Sequence, residues 1–73
     1  MKTKVSEAEK AELLALSIEA RKCMREGKPM PWHLNKDLVA AIVGMKRNYG
    51  VNTMHIVVDE MTEQCDKLVG KVE

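Results

Sequence analysis

His55, Asp59 and Glu63 recur every four residues, a spacing that on a helix brings one imidazole and two carboxylates to a single face. Those are the nitrogen and oxygen donors that a divalent cation takes. A catalytic metal also needs ligands converging from other elements, and His33 is the only further imidazole in the chain. The three residues therefore read as a surface ladder, and no metal is expected.

Nucleophiles are as sparse. Neither Cys23 nor Cys65 has a histidine at an informative spacing, Ser6 and Ser17 are the only serines, and no glycine-rich run could cradle a phosphate. The two cysteines show neither the close pairing of a zinc knuckle nor the density of a disulfide scaffold. They read as reduced core thiols, with a single bridge between two helices as the alternative. A helical chain of 73 residues has little room to enclose a substrate. Neither an enzyme nor any cofactor is expected.

Two arrangements could meet nucleic acid. Gly50 separates two helical segments, and Val51 and Ile56 fit the apolar positions of a helix-turn-helix. Its second helix, however, would carry Asp59, Glu60, Glu63 and Asp66 against Lys67, a charge that repels phosphate. The better basic patch is Arg21, Lys22, Arg25 and Lys28, diluted by Glu26. Cations there also suit the end of a helix dipole, so a solvated helix terminus is the simpler reading.

The elements that must position these groups are helical. Ser6 followed by Glu9 is a capping-box pattern, and Gly27 is a stop signal, which predicts a first helix near residues 7 to 26 after a short tail, 1 to 5. That helix has two apolar stripes, Leu13, Leu16, Ala20, Cys23 and Met24 on one side and Ala8, Ala11, Leu14, Ala15 and Ile18 on another. One stripe suffices for a hairpin, so the second is expected to meet a partner.

Pro29 and Pro31 make residues 27 to 35 a stiff connector, with Trp32 and Leu34 expected to fold back as a plug over the helix ends or, for Trp32, to serve as a recognition hot spot. Asn35 is a good N-cap, and Leu38, Ile42, Met45 and Tyr49 then recur at helical spacing, predicting a second helix near 36 to 48. Val39 and Val43 extend its apolar surface round the side, and Gly44 would permit a close backbone approach.

Asn52 or Thr53 can cap a third helix near 53 to 69. Its seam, Met54, Val58, Met61, Cys65, Leu68 and Val72, has heptad spacing, and such a stripe must be covered by another helix. His55, Val57, Thr62, Gln64, Val69 and Lys71 flank it. So few charges suit a multi-helix bundle better than an isolated zipper.

The fold class expected is all-α: a single domain of three helices, the first long and two shorter. A domain this small buries only about 60% of its unfolded surface, and Phe is absent. Oligomerisation is a common remedy, so a homodimer or larger helical bundle is expected. Twelve basic and eleven acidic residues give a charge of +1, with no global pull towards phosphate or anionic membranes. Charges interrupt the segment after Lys2 and Lys4, and the longest apolar run, Leu38 to Met45, falls well short of the roughly 20 residues of a membrane span. A soluble cytoplasmic protein is expected.

The function these features predict is a small interaction module that regulates or inhibits a larger protein by binding it. The contact surface, for partner or self, is expected at Leu14, Ile18, Arg21, Lys22, Arg25, Trp32, Met54, Val58, Met61, Cys65 and Leu68. The alternative is a dimeric nucleic-acid-binding regulator that uses the basic end of the first helix together with Lys46 and Arg47.

Overall fold

The computed structural model describes residues 4–70. Three helices of nearly equal length, α1 (Glu7–Arg25), α2 (Trp32–Tyr49) and α3 (Val51–Val69), pack each against the other two. Ion pairs fix the directions. Lys10 meets Glu60 and Arg21 meets Asp66, so α1 and α3 run parallel, with α2 returning between their ends.

Local chemistry sets the ends of α1. The Ser6 hydroxyl oxygen accepts the Glu9 amide proton at 3.2 Å and donates its own proton to the Glu9 carboxylate at 3.0 Å. At the other end Gly27, at φ +69°, closes a Schellman motif in which the Lys28 amide donates to Cys23 and the Gly27 amide to Met24. Val5, assigned from the sequence to a tail, is instead buried in the core beside Leu13, Met45 and Tyr49.

Helix α2 starts four residues earlier than the sequence predicted. Its N-cap is Pro31, whose carbonyl accepts from the amides of Leu34 and Asn35. The first amides of a helix have no partner within it, so proline is tolerated at the start while its fixed φ favours the turn that follows. Asn35 is consequently an exposed residue inside the helix and not its cap.

Gly50 alone joins α2 to α3. At φ 94° and ψ 159° it occupies a region essentially reserved for glycine, and it ends one helix by donating to Lys46 and begins the next by accepting from Met54. The expected caps Asn52 and Thr53 thus lie inside α3. A joint of one residue is shorter than the turn of about three or four that a helix-turn-helix uses.

The core is Val5, Leu13, Met45, Tyr49, Met54, Val57 and Met61, with Leu14, Leu38, Ala41, Ile42 and Val58 packed against it. Of the six seam residues of α3, Met54, Met61 and Cys65 are buried, Val58 is half-buried, and Val72 lies outside the described residues. Leu68 is 67% exposed. Val57, expected on the flank, is buried instead. Val57 stands three residues after Met54 and four before Met61, so it shares their face of the helix and turns inward with them. Gly44 does not mark a close approach, because a Cβ there would meet nothing within 4 Å. Among the described residues no helix is long and apolar enough to cross a membrane.

Candidate interaction surface

The basic end of α1 is largely occupied by its own chain. Arg21 Nη1 donates to Asp66 Oδ1 at 2.5 Å and to the Gly70 carbonyl at 2.9 Å. Arg25 donates to the Val69 carbonyl, and Lys28 pairs with Glu26 at 3.0 Å. The last carbonyls of a helix lack intrahelical partners, so the two arginines stabilise the end of α3 with donors and positive charge. The Asp66 contact holds the Arg21 guanidinium charged, its pKa raised above an already high ordinary value. Among the described residues Lys22 alone of the four cations makes no ion pair or side-chain hydrogen bond.

The apolar residues expected at the interface divide in the same way. Leu14 packs on the core and Ile18 is half-buried, so the second stripe of α1 is partly consumed inside the bundle. Met54, Met61 and Cys65 are buried, Cys65 completely, and both cysteines are free thiols. Trp32 and Leu68 remain exposed. Leu34 folds inward as predicted, whereas Trp32 points outward from the first turn of α2 at 74% exposure and is no plug.

Trp32 belongs to a surface that sequence reasoning missed. Trp32, Lys36, Val39, Val43 and Lys46 recur at spacings of four, three, four and three along α2, a second heptad stripe. It faces away from Leu34, Leu38, Ala41 and Met45, which pack inward. Val39 is 53% and Val43 46% exposed. The Lys36 ammonium lies 5.7 Å from the centre of the Trp32 ring, close enough for a cation–π contact, and the His33 ring meets the same indole edge-on at 6.2 Å. Lys36, Lys46 and Arg47 are exposed, and none makes an ion pair among the described residues. The signal was the spacing of Trp32 from Val39. Placing Trp32 in a connector hid it.

Grooves flank the bundle. One of about 380 Å³ between α1 and α2 is lined by Glu9, Glu12, Asp37, Ala40, Ala41 and Met45. A smaller one between α1 and α3 lies at Lys10, Leu14, Glu60 and Gln64. His55, Asp59 and Glu63 lie exposed along α3, and among the described residues no three His, Cys, Asp or Glu side chains are placed to hold a metal ion. In the first groove Glu9 accepts from the Tyr49 hydroxyl at 2.5 Å, tying the start of α1 to the end of α2. That hydrogen bond, reinforced by burial, raises the Tyr49 pKa above its ordinary value.

Compared with protein-family models, curated proteins and solved structures, the chain finds no significant match in any of the three.

Proposed function

We propose that this chain is a non-catalytic helical interaction module that regulates or inhibits a larger protein by occupying part of its surface. One observation carries the reading: α2 exposes Trp32, Val39 and Val43 in line although the core beneath them is closed. Aliphatic groups flanking a tryptophan, rimmed by cations, have the anatomy of a protein contact. Among the described residues the buried ionisable side chains are Tyr49, whose hydroxyl is committed to Glu9, and the core thiol Cys65, a pair that supports binding over catalysis.

The nucleic-acid alternative is the weaker reading because Arg21 and Arg25 are already bonded within the chain and Lys28 is paired with Glu26, which leaves it Lys22, Lys46 and Arg47. The homo-oligomer expected from the sequence rested on the two apolar stripes of α1 and the seam of α3; one copy uses Leu14, Met54, Val58, Met61 and Cys65 internally and leaves Ile18 half-buried and Leu68 exposed, so the proposal needs only a single copy.

Affinity capture tests the reading. The wild-type chain as bait should retain a protein from its source lysate that an equally helical Val39→Asp, Val43→Asp bait loses. Identical captures by the two baits, or none by either, would remove α2 as the contact surface.

A further inference from the structure

We infer that the outer face of α2 receives an acidic amphipathic helix of a partner protein. The inference rests on the interaction-module reading and adds the partner's chemistry. Shape comes first. Apolar groups at Trp32, Val39 and Val43 form a stripe one helix wide, and an apolar ridge with the same three-four spacing can lie along it.

Charge then selects among helices. Lys36, Lys46 and Arg47 border the stripe without an ion-pair partner among the described residues, while the one acid of α2, Asp37, faces the groove it shares with Glu9 and Glu12 of α1. A helix with carboxylates beside its apolar ridge meets three free cations. A cationic helix is repelled, and steering by unlike charge raises the rate of encounter.

A second copy of this chain fits less well. Pairing α2 with α2 would set Lys36, Lys46 and Arg47 of one copy against the same three in the other. The exposed face of α3 does carry Asp59 and Glu63 beside Ile56, but its other exposed aliphatic groups, Val51 and Leu68, stand on different sides of the helix, so no single ridge covers the stripe.

The chain contains its own reporter. Trp32 is the only tryptophan and lies on the surface in question, so burial by a partner shifts its emission to the blue. The probes are two synthetic peptides of about 20 residues with identical leucine ridges, flanked by glutamates in one and lysines in the other, both free of aromatic residues. The glutamate peptide should give a saturable blue shift and bind at least about tenfold more tightly than the lysine peptide, with the preference shrinking as salt rises. The variant Lys36→Glu, Lys46→Glu, Arg47→Glu, checked for unchanged helicity, should reverse the preference, and Val39→Asp with Val43→Asp should abolish both complexes.

Equal binding of the two peptides, still lost in the valine variant, would overturn the acidic partner and leave the interaction module standing. No response to either peptide, with a blue shift on anionic phospholipid vesicles, would overturn both. A blue shift on raising the protein concentration alone would put a second copy on this face.

Discussion

The basic end of α1 and the outer face of α2 look alike in sequence, each a few cations beside aliphatic groups on a helix. The structure separates them. In α1 the cations Arg21 and Arg25 bond to the end of α3, and of their aliphatic neighbours Ala20 is buried and Ile18 half-buried. In α2 the cations Lys36, Lys46 and Arg47 make no ion pair among the described residues, and Val39 and Val43 stay in water. Composition cannot tell a charge committed within the fold from one still available. What decides is whether a neighbouring helix presents unsatisfied carbonyls or a carboxylate within reach, as the end of α3 does for Arg21.

The largest expected effect contrasts the two apolar stripes with one kind of change. Met61 is buried at 3% exposure, and Met61→Asp would place a charge among aliphatic groups with no partner. The cost is several kcal/mol, on the order of the whole stability of so small a domain. Val39→Asp, on the exposed stripe, should change stability by no more than about 0.5 kcal/mol. Thermal unfolding followed by circular dichroism compares them directly. A folded Met61→Asp protein, or an unfolded Val39→Asp one, would reverse the assignment of inner and outer stripes.

A smaller effect separates the two sets of cations. Arg21→Met removes the contacts to Asp66 and to the Gly70 carbonyl, leaving the end of α3 to fray, at a cost on the order of 1 kcal/mol. Arg47→Met removes no ion pair or side-chain hydrogen bond among the described residues and should be neutral. Hydrogen exchange reads the difference: amides in the last turn of α3 should lose protection in the first variant and keep it in the second. Equal protection in both would mean that the Arg21 contacts contribute nothing to holding α3.

How much of this was legible depends on how local each cause is. The bounds of α1 followed from Ser6, Glu9 and Gly27, whose capping chemistry acts within a few residues. The start of α2 did not, because Pro31 ends a helix that precedes it but begins one that follows, and the sequence alone does not choose. The burial of Val57 in place of Leu68 depends on which side of α3 meets α1 and α2 and on where the bundle ends, both properties of the assembled helices. The candidate site was hardest to read. Recognising Arg21 and Arg25 as clamps needs residues 66 to 70 brought alongside α1, and recognising Trp32 as part of a stripe needs the helix to begin four residues early.

The smallest effect concerns the groove between α1 and α2, where Tyr49 is a committed polar group of the kind the α2 cations are not. Its hydroxyl must keep its proton to donate to Glu9, since ionisation would set a phenolate against a carboxylate. Hence the folded-state pKa lies above the value of about 10 that an unfolded chain shows. The folded protein holds this proton to higher pH than the unfolded one. The contribution to stability is therefore complete below pH of about 10 and is lost as pH rises through the folded-state value. Tyr49→Phe cannot lose what it lacks, so the stability difference between wild type and variant should be flat at neutral pH and shrink on the alkaline side. Taking that difference cancels the lysines, which titrate in both proteins. Tyr49 is also the only tyrosine, so its phenolate absorbance reports the same ionisation directly. A midpoint at or below that of free tyrosine would show that the bond to Glu9 does not hold in solution, and with it would go the tie between the start of α1 and the end of α2.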